Sequence, residues 1–192
     1  MKYIKVGFAF SASFCTFDKM YPVLEKTVER YDEVLPIFSE NSAHTDTRFG
    51  KAEAFTAKVE QICGKKAMKT IPEVEAIGPQ KLVDVLVVAP CTGNTLAKLA
   101  GGVTDTSVTM AAKAHLRNGR PLVLAISTND GLSGNAKNIG ELLCRKNIYF
   151  VPFRQDDTEG KPTSLVADMS KIPETIDAAL EGRQLQPVLS KN

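Results

Sequence analysis

Residues 81–100, KLVDVLVVAPCTGNTLAKLA, constrain the fold more than any other part of this chain. Residues 84–89 are almost wholly aliphatic, without the polar alternation of a half-exposed strand, which predicts a strand buried on both faces of a parallel sheet. Pro90 is expected to end this strand, and residues 91–95 then form a short polar loop. Apolar side chains at helical spacing follow up to residue 100. A strand, a polar loop and a helix in this order indicate an open α/β sheet that binds ligands at the carboxyl edge of its strands.

Length and charge exclude several classes of protein. The chain has 192 residues, enough for one sizeable core, and no linker-like stretch divides it, so we predict one domain over residues 1–192. Its core is expected over about 3–153, followed by a polar loop, a short helix and a frayed tail over 154–192. The formal net charge of +2 with scattered basic residues argues against a nucleic-acid or membrane-surface protein.

The N-terminus and the cysteines point to a cytoplasmic protein. The apolar run after the first lysines is short and rich in strand formers, so we interpret it as a first strand rather than a signal peptide. No apolar run approaches the roughly 20 residues that cross a membrane. The four cysteines are far apart, without CxxC or Cys/His spacing, which disfavours a metal site and a disulfide framework. They are Cys15, Cys63, Cys91 and Cys144.

Hydrophobic periodicity supplies the remaining elements. Further strands are predicted at 3–10, 34–38 and 121–126, and helices at 17–31, 51–63, 106–117 and 172–180. Residues 65–79 are expected to be extended or turn-like, because two prolines interrupt them. Alternating strands and helices predict a three-layer, doubly wound, Rossmann-like α/β fold with a mainly parallel sheet.

Small hydroxyl residues follow the first predicted strand. Gly7 suggests close backbone approach, and Ser11 and Ser13 precede a helix, where hydroxyls, free amides and a helix N-terminus suit a phosphate group. Serine is also an ordinary helix cap, so this signal alone leaves both interpretations open. Neither a GxGxxG fingerprint nor a Walker lysine is present, which argues against dinucleotides and nucleoside triphosphates.

The second predicted strand is also followed by a polar loop, SENSAHTDTRFG, over residues 39–50. Arg48 is a candidate for a phosphate contact because a guanidinium matches phosphate oxygens, although a solvated surface arginine is the simpler interpretation. His44 is a candidate general base because histidine is the usual residue in that role, but no partner in the sequence favours catalysis, and a surface-loop histidine is the simpler interpretation. His115, inside a helical run, is weaker still.

Pro-Cys-Thr-Gly-Asn-Thr resembles the Pro-Ala-Ser-Ala-Asn-Thr signature of the homo-oligomeric flavin-containing cysteine decarboxylase superfamily, a flavoprotein group. Pro90, Asn94 and Thr95 match the signature, and the middle residues agree in size only. The resemblance implies a flavoprotein-type fold and bound FMN, with catalytic roles for Asn94 and Asn129. The residues expected to bind the cofactor are Gly7, Ser11, Ser13, Ser39, Pro90, Thr92, Gly93, Asn94, Thr95 and Ser127.

The sequence departs from this superfamily at two functional places. The histidine that the decarboxylases carry before the central strand is Ala76 here. Their Pro-Ala-Met-Asn clamp is replaced by Ser127, Thr128 and Asn129, and the chain contains no tryptophan. Both changes argue against decarboxylation and imply a different, more polar substrate.

The resemblance to the family resumes over residues 135–152. With the Asn-Thr motif present, Ala76 in place of the histidine, residues 127–131 in place of the clamp and a polar tail after residue 153, the chain is most similar to a two-subunit branch from endospore-forming bacteria. This resemblance implies an oxidoreductase with a small dicarboxylate substrate, mother-cell cytoplasm, a homo-oligomer of unspecified size, and a separate partner that holds NADP. Lys98, Arg48 and Arg154 remain equal candidates for the dicarboxylate contact. A standalone FMN-dependent decarboxylase or prenyl-type transferase, and a catalytically silent partner-stabilising protein, remain as alternatives.

Overall fold

The structure is a computed structural model that describes residues 3–190. Its strands are β1 Lys5–Phe10, β2 Glu33–Phe38, β3 Val85–Cys91, β4 Leu122–Thr128, β5 Ile148–Phe150, β6 Phe153–Arg154 and β7 Leu165–Ala167. Its helices are α1 Phe17–Arg30, α2 Glu40–His44, α3 Ala52–Cys63, α4 Ile71–Glu75, α5 Gly93–Gly101, α6 Ser107–Leu116, α7 Ala136–Leu143 and α8 Ile172–Leu180. Short 3-10 turns precede α1 and α8.

The strands form one mixed sheet in the order β2-β1-β3-β4-β7-β6, with β5 pairing beside the first half of β4. The pairs among β1 to β5 are parallel, whereas β7 runs antiparallel to the end of β4 and to β6. The predicted doubly wound, mainly parallel α/β fold is therefore confirmed. Strand order reverses between β1 and β3, and such a switch point is where open α/β sheets bind ligands.

The strand β3 lies in the interior of the sheet and is covered on both faces. Every residue of β3 is buried, as the unbroken aliphatic run predicts. An aromatic cluster packs α1 and α3 against the carboxyl ends of β1 and β2: the Phe17 and Phe55 rings stack with centroids 3.9 Å apart, and Phe10 stacks on Phe38 at 4.9 Å. This packing fixes the positions of the loops that leave β1 and β2.

One prediction about local structure is wrong in part and another is wrong. Within residues 65–79 the flanking residues are extended or turn-like as predicted, but 71–75 form α4, because Thr70 and Glu73 form a capping box and Pro72 occupies the first turn, where proline costs no hydrogen bond. Pro90 does not end β3, which continues to Cys91. The pairing with β4 shifts register between Val88 and Cys91, so Pro90, which has no N–H, need not donate a hydrogen bond to the neighbouring strand.

The C-terminal part is more ordered than the sequence predicts. Residues 153–167 include the β6–β7 hairpin, not only a polar loop. The tail expected to fray is held as far as residue 190, since the Phe153 N–H donates to the Val188 carbonyl at 3.0 Å and the Ser190 N–H to the Phe153 carbonyl at 3.0 Å. The final two residues of the predicted tail lie outside the described residues.

Within residues 3–190, no helix combines the length and the apolar character needed to cross a bilayer.

Candidate functional site

The loops after β1 and β3 are joined by hydrogen bonds at the switch point. The buried Ser11 hydroxyl donates to the Pro90 carbonyl at 2.7 Å and accepts the Thr92 N–H at 3.0 Å. The Ser11 hydroxyl thus holds the two loops together, because it donates one hydrogen bond and accepts another. We call residues 11–13 and 90–95 the switch-point loops.

Thr92 caps the N-terminus of α5. Its hydroxyl accepts the Thr95 N–H at 3.3 Å and lies 3.0 Å from the Thr95 hydroxyl. Asn94 is in the first turn of α5, its side chain is exposed, and it makes no hydrogen bond within residues 3–190. The amide of Asn94 is therefore available to a ligand.

Ser39 continues the same edge toward β2. The Ser39 N–H donates to the carbonyl of Phe10, the residue just before Ser11, at 3.1 Å. Ser39 caps the short helix α2 by accepting the Ser42 N–H at 3.2 Å, and the Ser42 hydroxyl also donates to the Phe10 carbonyl at 2.9 Å. The structure thus brings Ser39, Ser11 and the loop bearing Asn94 to one edge of the sheet.

A third group of hydroxyls links β1 to β4. The Ser13 hydroxyl lies 3.0 Å from that of Thr16 and 3.2 Å from that of Ser127. The Thr16 and Ser127 hydroxyls are 3.4 Å apart. These three side chains reach a cavity of about 770 Å³, which also touches Asn129.

This cavity lies between α1 and the β6–β7 hairpin, and we call it the α1–hairpin cavity. Lys19 and Lys26 of α1 line one side, and Arg154 and Lys161 of the hairpin region line the other. Its lining does not include Ser11, Ser39 or Asn94. Of the predicted residues, Ser127 and Asn129 line this cavity and Ser13 belongs both to it and to the switch-point loops. The other predicted residues at the carboxyl edge of the sheet lie outside the cavity.

The segment after β4 is organised by Asp130. Its carboxylate accepts hydrogen bonds from the Thr128 hydroxyl and from the Asn135 amide, the latter at 2.8 Å. The bond from Thr128 is the main cause that lowers the pKa of Asp130. A Cβ built on Gly93 would lie 2.7 Å from an Asp130 oxygen. The anionic side chain thus sits at the N-terminus of α5, where a dipole favours negative charge.

Several predicted residues lie elsewhere. Gly7 is inside the sheet, where an added Cβ would lie 2.8 Å from Leu86, so its position indicates packing rather than ligand contact. Arg48 stacks over Phe49 at 4.9 Å, and Lys98 pairs with Asp105 at 2.8 Å. Of the three cations predicted for the dicarboxylate, Arg154 alone lines the α1–hairpin cavity.

The histidines show no catalytic arrangement within residues 3–190. His44 is exposed at the end of α2. His115 is fully buried, its Nε2 lies 2.9 Å from the Pro121 carbonyl, and desolvation lowers its pKa to about 4. Ala76, at the position of the decarboxylase histidine, ends α4 before β3 and so lies toward the opposite, amino edge of the sheet.

Sequence reasoning missed Thr16, Asp130 and the lysines of α1. Asp130 is part of an Asp-Gly turn signal, which predicts a loop but not the side chains its carboxylate will meet. Lys19 and Lys26 are seven residues apart, a spacing that places both on one helical face. This spacing is the signal in the sequence that could have indicated a cationic face on α1.

The strand order, the capped α5 and the hydroxyls of three neighbouring loops define a doubly wound α/β protein with a candidate ligand site at its switch point. The chain belongs to the Flavoprotein family, whose model matches residues 1–178. The family predicted from the Pro-Cys-Thr-Gly-Asn-Thr motif is thereby confirmed.

Individual relatives are more specific. The chain is 45% identical over 188 residues to the B subunit of dipicolinate synthase from Bacillus subtilis (strain 168), a match that covers 98% of this chain and 94% of the relative. The crystal structure of the dipicolinate synthase B subunit from Bacillus halodurans C has a TM-score of 0.91 and 44% identity, with full coverage of both chains. This likeness agrees with the two-subunit branch that the changes at Ala76 and residues 127–129 predict.

A more distant match shows the shared fold. The FMN-dependent cysteine decarboxylase SpaF has a TM-score of 0.62 and 20% identity, over 94% of this chain and 96% of that one. Its fold agrees with the decarboxylase-type architecture that the sequence motif predicts.

The donor set at the switch point fits the phosphate and ribityl groups of a flavin mononucleotide. Hydroxyls of Ser39, Thr92 and Thr95 lie at this edge and bond to neighbouring hydroxyls, so each is able to rotate its proton toward a phosphate oxygen. The Ser11 hydroxyl donates to the Pro90 carbonyl and would reach a phosphate only by giving up that bond. The exposed Asn94 amide offers a donor and an acceptor to a heterocyclic ring.

Proposed function

We propose that this chain is the FMN-binding B subunit of a dipicolinate synthase. It contributes to the oxidation of a dihydrodipicolinate-type intermediate to pyridine-2,6-dicarboxylate during sporulation, in the mother-cell cytoplasm. The observation that carries the proposal is the 45% identity to the B subunit of dipicolinate synthase across nearly the whole of both chains. The hydroxyl-rich switch point supports the flavin part of the proposal.

The residues at the edge of the sheet have distinct roles in this proposal. Ser11, Ser39 and Thr92 hold the FMN phosphate, and Asn94 hydrogen-bonds the ring or the substrate. Asn129 closes the substrate side, as its place in the α1–hairpin cavity supports. Bound FMN supplies a centre that accepts or relays the hydride lost when the ring becomes aromatic.

NADP is assigned to a partner, the A subunit. This chain has no GxGxxG fingerprint, so a nicotinamide dinucleotide has no recognisable phosphate loop here. Copies of this chain are also expected to assemble with one another, which analytical ultracentrifugation of the purified protein measures.

Reconstitution tests the proposal. The purified chain, its A subunit, the dihydro substrate and NADP are mixed with and without added FMN, and dipicolinate formation is followed. We expect product only when both proteins are present, and faster formation when flavin is bound. Product without this chain, or full activity of flavin-free protein, would favour the catalytically silent alternative. Product from this chain alone would favour a standalone enzyme.

Asn94→Ala tests the flavin position. Because the Asn94 side chain is exposed and makes no hydrogen bond within the described residues, its truncation should leave the unfolding midpoint unchanged. Loss of one hydrogen bond to the ring should weaken FMN retention by about tenfold. Gln80→Ala removes an exposed amide near the start of β3 and serves as the control. Equal flavin content in both variants would contradict this position for the ring.

A further inference from the structure

The α1–hairpin cavity carries a charge pattern that the flavin site does not need. Four cationic side chains reach it, Lys19, Lys26, Arg154 and Lys161, against two carboxylates, Asp156 and Asp168. Its lining therefore has an excess of two positive charges. A cavity with this excess attracts a dianion, because walls of low dielectric strengthen the field inside it.

The four cations are not committed to carboxylates of the protein. In the part of the chain the structure describes, no acidic side chain lies within 4.0 Å of Lys19, Lys26, Arg154 or Lys161. Outside the cavity some cations are paired, as Lys98 is with Asp105, and others, such as Lys58 and Lys146, have no acidic side chain within 4.0 Å in the described residues. What distinguishes the four is that they line one cavity. Asp168 is itself engaged as a cap, since it accepts the Ser170 hydroxyl at 2.6 Å.

The remaining walls fit a flat ring. Pro22, Val23, Leu165 and Pro173 present apolar surface, while Ser13 and Ser127 supply neutral hydroxyls. The volume of about 770 Å³ is within the range of about 300–1,000 Å³ that small-molecule sites occupy. Apolar surface for a ring, together with cations from two separate elements, suits a planar ring that carries two carboxylates.

The hairpin region is held against the segment that follows β4. The hairpin is tied to the segment after β4, because the Thr163 hydroxyl donates to the Asn129 carbonyl at 2.7 Å and the Leu132 N–H to the Thr163 carbonyl at 2.9 Å. Leu165 also packs where a Cβ on Gly131 would lie, 2.7 Å from its Cγ. The wall that bears Arg154 and Lys161 is thus joined to the end of β4.

We propose that the α1–hairpin cavity is the binding site for the ring dicarboxylate, with Lys19 and Lys26 facing one carboxylate and Arg154 and Lys161 the other. This inference rests on the proposed function for the identity of the ligand, and it adds the site and the residues. It separates the dicarboxylate from the flavin phosphate, which the hydroxyls of the switch-point loops hold.

Direct binding tests the site on the purified, flavin-equilibrated protein, with pyridine-2,6-dicarboxylate as the probe and calorimetry as the measurement. Lys19→Gln/Lys26→Gln and Arg154→Gln should each weaken binding by about tenfold. Lys58→Gln/Lys146→Gln removes the same charge from exposed positions outside the cavity and should weaken it less than about twofold. Pyridine-2-carboxylate, which lacks one carboxylate, should bind at least about tenfold more weakly than the probe.

Cys15 gives an independent readout, because it is exposed and lines the cavity, whereas the exposed Cys144 does not. Alkylation followed by mass spectrometry should show that the probe protects Cys15 and leaves Cys144 reactive.

Two results from the cation variants would overturn the site. One is normal binding of the probe. The other is loss of FMN with the probe still bound, because the cations would then serve the flavin phosphate. No probe binding by a chain that supports synthase activity on reconstitution would overturn this inference and leave the proposed function standing.

Discussion

The switch-point loops and the α1–hairpin cavity lie at the same edge of the sheet but differ in chemistry. Hydroxyls and backbone groups of Ser11, Thr92 and Thr95 bond to one another in the loops, which contain no charged side chain. The cavity is lined by cations from α1 and the hairpin region that pair with no carboxylate within residues 3–190. A neutral site whose groups hydrogen-bond to one another suits a tightly bound cofactor, whereas exposed charges suit a substrate that exchanges with solvent. On the two proposals above, the switch-point loops bind the flavin and the α1–hairpin cavity selects the substrate.

Gly93→Ala is the change with the largest expected effect, because Gly93 is where the two regions meet. An added Cβ would lie 2.5 Å from the Asn135 amide nitrogen and 2.5 Å from the Thr128 hydroxyl. Forcing these groups apart should lower the free energy of unfolding by about 2 kcal/mol, measured by urea denaturation.

Gly101→Ala is the matched control for that prediction, since it lies at the other end of α5 and its Cβ would meet nothing nearer than 3.8 Å. Its stability should be unchanged or higher by up to about 1 kcal/mol. Equal stability of the two variants would show that the segment after β4 does not depend on its close approach to α5.

Asp130→Asn tests whether the hydrogen bonds of the carboxylate hold the same junction. The variant should lose about 1 kcal/mol at pH 7, because Thr128 and Asn135 both donate to Asp130. The folded protein lowers the pKa of Asp130, so its stabilisation is complete above the unfolded value of about 3.9 and is lost as pH falls through the folded pKa.

The difference in stability between wild type and Asp130→Asn should therefore shrink below about pH 4. Asp18→Asn, an exposed carboxylate on α1, gives the control for removing one charge. A difference that stays constant down to about pH 2.5, roughly a unit below the unfolded pKa, would show that the carboxylate charge does not carry the effect.

The sheet and the switch point could be predicted well from the sequence, because both follow from short-range patterns. The aliphatic run of β3 indicates a buried strand, and the polar residues Thr92 to Thr95 indicate the cap of the helix that follows. The α1–hairpin cavity could not, since it depends on β7 pairing with β4 across a long intervening segment. Which cations converge there depends on the tertiary structure, because no pattern in the sequence indicates that Lys19 and Arg154 line the same cavity.

Lys98→Gln has the smallest expected effect and sharpens the contrast between cations inside and outside the cavity. Lys98 donates to Asp105 at 3.0 Å, and this bond is the main cause that lowers the pKa of Asp105. In the variant the Asp105 pKa should rise toward its ordinary value, as NMR titration measures, while stability stays within experimental error. Dicarboxylate affinity should change less than about twofold, against about tenfold for Arg154→Gln. An equal loss of affinity in both variants would mean that the protein's overall field, rather than the α1–hairpin cavity, attracts the ligand.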